Sequence, residues 1–293
     1  MKDCGLMIVD KPVGPTSHNV VSLVRRGTKI RKVGHAGTLD PRASGVLVLC
    51  LGAATRLSEY LSTSDKCYQA VIRFGSATRT YDSDGEVTRQ SDVVPRLKDI
   101  EEALPSFLGE IDQVPPPFSA IKVHGKKAYE MARQGQDVDL QPRKVTIRRL
   151  DVAAYAPPDL SLSVECSAGT YIRSLAHDLG EMLSSGAHLA GLRRSRSGPF
   201  SIEDAIPFPM LEVAFLTGKW EQYVLPAADA LPEFRSVAVD AEGQERIRFG
   251  HRIPAAPGSS GMAKAVGPDG ELIAILEAVE GGAEWHPRKV FLG

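Results

Sequence analysis

Residues 34–45 read Gly34-His35-Ala36-Gly37-Thr38-Leu39-Asp40-Pro41-Arg42-Ala43-Ser44-Gly45. The stretch suits neither a helix nor a strand, because glycines punctuate it and Pro41 restrains Asp40 to extended or turn geometry. The bases Arg25, Arg26, Lys29, Arg31 and Lys32 precede it. The apolar run Val46-Leu47-Val48-Leu49-Cys50-Leu51 follows it and reads as a buried strand. A polar loop feeding a buried strand is a place where one carboxylate, Asp40, can be fixed in a cleft. His35, Thr38 and Arg42 add donors and charge around the same loop. The plainer alternative is an Asp-Pro pair that only starts a turn.

Upstream, Gly5 to Val9 predicts a short strand and residues 10–15 a turn. Thr16 or Ser17 then caps a helix with Val20, Val21 and Val24 on its apolar side. Downstream, residues 53–61 suit a short helix, Tyr68 to Phe74 a strand, residues 81–85 a turn, and Ile100 to Leu108 a helix whose extent Pro105 blurs. Residues 113–144 differ: three prolines, the basic run Lys122 to Lys127, then a short helix from Ala128 to Arg133. They read as a protruding basic insertion, or as a plain surface excursion. Arg143 to Arg148 resumes as a strand. Leu160 to Ser167 alternates with period two, a half-buried strand. Ile172 to Leu183 reads as an amphipathic helix with Leu175, Leu179 and Met182 along one face, and His188 to Arg196 as another strand. Pro207 to Leu231 is proline-punctuated and reads as irregular, which places a domain boundary near residue 230; Val237 to Gly293 reads as a small β-domain.

A length of 293 residues suits one large domain plus a small one. No apolar run is long enough to span a bilayer, and the first residues lack a signal-peptide core, so a cytoplasmic protein with no membrane partner is expected. Cys4, Cys50, Cys67 and Cys166 show no metal-ligand spacing and read as reduced thiols, with no metal site. A net charge of −1 gives no global argument for a nucleic-acid partner. Distribution says more: bases cluster at residues 25–32, 122–127, 143–149 and 193–196, which fits a transient RNA contact or a set of solvated faces.

The Asp40 loop resembles the active-site motif of the tRNA pseudouridine synthases of the TruB type. The likeness continues in Asp10-Lys11-Pro12-Val13-Gly14-Pro15-Thr16-Ser17, in Lys66-Cys67-Tyr68, and in Thr78-Arg79-Thr80-Tyr81-Asp82-Ser83-Asp84-Gly85. It continues further in the Pro-Pro-Xaa-Phe-Ser-Ala-Xaa-Lys run ending at Lys122, in Cys166 to Arg173, and in Leu192 to Gly198. These blocks cover the first two-thirds of the chain.

The resemblance implies an α+β pseudouridine-synthase fold: a central mixed, largely antiparallel sheet flanked by helices and loops. It implies a catalytic domain over residues 1–230, with an RNA-binding insertion at about 113–144, and a small PUA-like β-domain over 231–293. The implied reaction is isomerisation of the uridine at position 55, in the T arm of tRNA. It breaks the N-glycosidic bond, turns the base and rejoins it through carbon, and it needs no cofactor. Asp40 is then the nucleophile, acting on the uracil ring or by a sugar-centred route, and Arg173 the cation that keeps it ionised. Tyr68 stacks on the base, Tyr171 and Leu192 line its pocket, and Lys11 and Pro12 back the tyrosine. His35 fills the gap left by the everted base, whereas an isolated histidine there would hydrogen-bond within its own loop. Lys122, Lys126 and Lys127 grip the RNA. The expected partner is tRNA alone, bound by a monomer without an obligatory protein partner. Three rivals stand beside this reading: a guide-RNA-dependent synthase, an RNA-binding or tRNA-folding protein with little catalysis, and a hydrolase using Asp40 as base. The last lacks an obvious second catalytic group.

Overall fold

Apolar runs and period-two alternation each become strands here, and they do so in two different settings. A computed structural model describes residues 4–119, 121–123, 125–134, 136, 139–279 and 281–292; for residues 122, 123, 126, 127 and 133 it describes the backbone course alone. The chain is α+β and divides into two compact units, one built from residues 1–41, 45–62 and 197–293, the other from residues 42–44 and 63–196.

In the first unit the strand Gly5–Lys11 pairs antiparallel with Ala43–Leu51, in register from Gly5 opposite Leu51 to Lys11 opposite Gly45. Both strands are buried along nearly their whole length, which is why they read as unbroken apolar runs. Short strands complete the edges: Ile206–Pro207 parallel to Gly5–Lys11, Leu225–Pro226 antiparallel to it, and Val33–His35 antiparallel to Ala43–Leu51. The expected helix runs Ser17–Thr28 behind a Thr16 cap that is closed reciprocally with Asn19, and Val20, Val21 and Val24 are buried. Gly27 lets it approach a second helix, Phe208–Leu216: a β-carbon there would lie 2.3 Å from the Phe215 ring.

That second helix corrects the expectation of irregular chain from Pro207 to Leu231. Its residues are almost all apolar and so show no period, while Pro209 sits in the first turn, where proline is tolerated. The last residues form a five-stranded sheet of Arg235–Ala238, Met262–Val266, Leu272–Ala278, Glu284–Val290 and Ile253–Pro254. A helix over Ala241–Arg248, capped by Asp240, lies among them and was absent from the sequence reading because Gly243 interrupts it. Leu272, Ile275 and Phe291 of this region share one core with Leu6, Ile8, Val46 and Val48. The buried Lys264 ammonium donates to the carbonyls of Ala228 (2.7 Å) and Leu231 (3.0 Å).

In the second unit Lys66–Phe74, Asp159–Cys166, Arg143–Ala156 and Gly109–Gln113 run antiparallel in that order, with Ala187–Ser197 beside Lys66–Phe74. Leu160, Leu162, Val164 and Cys166 are buried and their neighbours half-buried, as the alternation requires. The helix Ile172–Met182 packs Leu175 and Leu179 onto this face. Met182, assigned to the same stripe, is instead 52% exposed, at the last position of the helix. The helix predicted from Ile100 starts at Leu97 and tightens to a 3₁₀ turn at Leu104–Phe107, where Pro105 ends regular hydrogen bonding. The insertion carries a hairpin of Lys122–Val123 against Lys126–Lys127, then a short helix over Ala128–Arg133. Among the described residues no helix is long and apolar enough to cross a membrane.

Candidate active site

Asp40 is half-buried, and the backbone on both sides of it is pinned. The buried Ser17 hydroxyl accepts from the Leu39 amide and donates to the Leu39 carbonyl, both at 2.9 Å. On the other side the Gly14 amide donates to the Pro41 carbonyl at 2.8 Å. Gly14 holds φ of +115°, a conformation that glycine adopts without strain. Lys11 is 0% exposed, and its ammonium donates to the carbonyls of Pro12 (2.9 Å) and Pro15 (2.8 Å), closing the turn that carries Gly14. The block from Asp10 to Ser17 is therefore the mould in which the Asp40 loop is cast. His35 ends the short strand opposite Leu49, and the Ala36 amide donates to the Val48 carbonyl at 2.9 Å. Pro12 lies within the Lys11 turn and is half-buried.

The other named residues lie in the second unit. Tyr68 sits opposite Val164 in the sheet, half-buried, and both it and Leu192 pack against one core cluster. Tyr171 occupies the N-cap of Ile172–Met182. The buried Gln113 amide clamps it, accepting from the Tyr171 amide at 2.8 Å and donating to its carbonyl at 3.1 Å. Arg173 follows, and it is no surface arginine: it is 8% exposed. Its guanidinium donates to the carbonyls of Thr80 (3.2 Å) and Phe118 (3.1 Å), and it lies 3.4 Å from an Asp82 carboxylate oxygen.

Asp82 is itself held. Its other carboxylate oxygen accepts from the Thr80 hydroxyl and from the Asp84 amide (3.1 Å), and its carbonyl accepts from the Thr78 hydroxyl (2.6 Å). Arg42, two residues beyond Asp40 in the chain, forms an exposed ion pair with Asp84. Lys66 is buried, and burial followed by the charge of Arg194 pushes its ammonium down to about 8. In two of the basic clusters charges are partnered or buried, whereas Arg25, Arg26, Lys29, Arg31 and Lys32 are exposed. Arg194 is 1% exposed, Arg196 pairs with Glu165, Arg148 with Asp65 and Lys144 with Glu110. The side chains of Lys122, Lys126 and Lys127 lie outside the described residues.

Three family models match end to end. The model for the N-terminal domain of TruB family pseudouridylate synthases matches residues 25–172. The C-terminal domain of tRNA pseudouridylate synthase B matches 173–231, and the C-terminal region of tRNA pseudouridine synthase II matches 234–292. The chain belongs to the TruB family of pseudouridine synthases. Among relatives, a tRNA pseudouridine synthase B of Solibacter usitatus (strain Ellin6076) is 44% identical over 94% of this chain and 96% of its own length. One from Arthrobacter sp. (strain FB24) is 45% identical over 96% and 94%. Among solved structures, a crystal structure of a Cbf5-Nop10-Gar1 complex aligns with a TM-score of 0.76 at 28% identity, covering 99% of this chain and 86% of the other.

TruB-family membership leaves the work of individual residues to be read from this chain. Ser17 and Asp82 lie in blocks that carry the resemblance but were given no role of their own at the site, and Gln113 was given none either. Asp82 carried a usable signal: threonines two and four residues before an aspartate, with glycine three after, is the pattern of a turn closed by short side chains bonding their own backbone. Gln113 carried none, because its partner lies 58 residues away.

Proposed function

We propose that this chain isomerises uridine in the T arm of tRNA, at position 55, to pseudouridine, with Asp40 as the nucleophile. One observation carries the reading: the backbone of the residue before Asp40 and of the residue after it is pinned by hydrogen bonds, so the loop that carries this half-buried aspartate is held in one conformation. Such preorganisation is what a reacting group requires. Tyr68, backed by Lys11 and Pro12, offers a flat face to the flipped-out base, and Tyr171 and Leu192 line its pocket. Arg173 supplies the positive charge that keeps Asp40 ionised. His35 occupies the place the base leaves, and Lys122, Lys126 and Lys127 grip the RNA backbone. The bond to nitrogen is exchanged for a bond to carbon within one nucleotide, so nothing is oxidised and no group is supplied from outside.

The near full-length relatives named tRNA pseudouridine synthase B favour bare tRNA as substrate over a guided RNA. A monomer acting in the cytoplasm without protein partners, with residues 1–230 catalytic and 231–293 a PUA-like module, completes the proposal. Asp40→Asn is expected to abolish tritium release from tRNA labelled at uracil carbon five, with tRNA affinity unchanged within a few-fold. Undiminished release refutes the nucleophile assignment. Activity of the unmodified chain on a bare transcript separates this reading from a guide-dependent one.

A further inference from the structure

Two of the groups that hold Arg173, the Thr80 carbonyl and the Asp82 carboxylate, flank a single residue in the chain, Tyr81. Tyr81 holds φ of +63°, a left-handed conformation that strains a bulky side chain. Several contacts maintain it. Its amide donates to the Thr78 carbonyl at 3.2 Å and its carbonyl accepts from the Leu189 amide at 2.9 Å. Its ring lies flat on the imidazole of His177, with centroids 3.8 Å apart and planes inclined by 4°. His177 is four residues beyond Arg173 in the helix Ile172–Met182, and therefore one turn along on the same face. Its Nδ1 is buried and makes no hydrogen bond among the described residues. The imidazole meets Tyr81 through the face of its ring.

We propose that the Tyr81–His177 stack is a positioning brace: it ties the strained turn to the helix that carries Arg173, so that the Thr80 carbonyl and the Asp82 carboxylate meet the guanidinium at a fixed angle. The brace rests on the reading that Arg173 serves Asp40 in catalysis. Neither ring touches substrate in this account; both act through Arg173. The strain points to a purpose beyond connection, because a turn meant only to connect two strands would relax by placing glycine or asparagine at this position.

The test is single-turnover kinetics with a tRNA transcript. His177→Ala, which removes the plate, is expected to slow the chemical step about tenfold while tRNA affinity stays within threefold. His177→Phe restores a flat ring and is expected to return the rate to within threefold of the parent. In an Asp82→Asn background, His177→Ala is expected to add less than a further twofold, because the group it positions is already impaired. A parent-like rate for His177→Ala, no rescue by phenylalanine, or a full additional loss in the Asp82→Asn background each overturns the brace. Should His177→Ala fail to fold, Tyr81→Gly removes the other ring and relaxes the backbone, with the same expected loss. Arg173→Lys in the same assay separates the two readings. Retained activity there sinks the role of Arg173 itself, whereas an inactive Arg173→Lys beside an unimpaired His177→Ala sinks the brace alone.

Discussion

Ser17→Ala is the most informative single change. It deletes one hydroxyl from a site that is 2% exposed and leaves both the N–H and the C=O of Leu39 without the partner that now serves them. A net hydrogen bond is worth about 1 kcal/mol and an orphaned buried polar group costs about 1–3 kcal/mol, so the two together amount to roughly 2–4 kcal/mol. That loss falls on the peptide immediately before Asp40. The cheapest response is for the loop to leave its pinned geometry, since Gly37, at φ +97°, offers a hinge upstream. If the reactive arrangement is lost in proportion, the chemical step slows roughly 30-fold or more. Affinity for tRNA, spread over many phosphate contacts, should stay within threefold. The assay is single-turnover conversion of a tRNA transcript, with binding measured separately by filter retention and folding by thermal melting. A melting temperature lowered by several degrees beside a parent-like rate constant would refute the reasoning, because it would mean that Ser17 supports the fold without aiming Asp40.

Other expectations follow from the same contacts. The Asp178 carboxyl is pushed up to about 6 by burial and then by Glu181. A raised value means that the folded state holds the proton more tightly than the unfolded one, so this stabilisation is complete below about pH 4 and is lost as pH climbs through 6. Two units correspond to about 3 kcal/mol, reduced to about 1–2 by the solvent reaching the carboxyl; Asp178→Asn should therefore melt higher than the parent at pH 7, and identical melts from pH 4 to 8 would exclude the effect. Gly85→Ala sets a β-carbon 2.4 Å from the Thr80 hydroxyl and 2.6 Å from its amide, so the turn must shift under Arg173; activity should fall at least tenfold, and a parent-like enzyme would show that the turn absorbs the methyl. Replacing Lys126 and Lys127 together by alanine should weaken tRNA binding and flatten its dependence on salt by about one to two in logarithmic slope. An unchanged slope would remove the insertion from the RNA interface.

How much of this was legible in the sequence depended on how far apart the interacting residues lie. The capped helix after Thr16, the buried strand after Gly45 and the alternating strand at Asp159–Cys166 are local patterns, and each formed where its pattern lay. The helix Phe208–Leu216 was hidden because a nearly all-apolar segment has no period, and Met182 was misassigned because helical periodicity gives a face and not how far along the helix that face is covered. Asp40, Tyr68 and Arg173 were singled out through the likeness of whole blocks to a family. What those blocks do for one another was not legible. The mould around Asp40 joins residues 17 and 39, and the Gln113 clamp on Tyr171 spans 58 positions. No spacing rule connects such pairs. They are set by tertiary packing, and the sequence shows only that the participants are small or polar.

The pair of Arg173 and Asp82 is poorly explained by stability. Withdrawing a guanidinium and a carboxylate from water costs several kcal/mol per ion, and apolar residues of equal volume often serve a fold as well or better. Here the cost is compounded by a left-handed tyrosine between two of the arginine's partners. Yet the carboxylate is bonded by a hydroxyl and an amide of its own turn, and the guanidinium by two carbonyls, so the charges are fixed in direction as well as neutralised. Neutralisation alone could be had from one flexible exposed pair, of which the chain has many, each worth about 1 kcal/mol or less. Fixed direction is of use when charge develops at one point during a reaction, where donors already oriented need not reorganise. A carboxylate drawn out of water beside a left-handed tyrosine is therefore what the proposed role of Arg173 in catalysis would require of this turn.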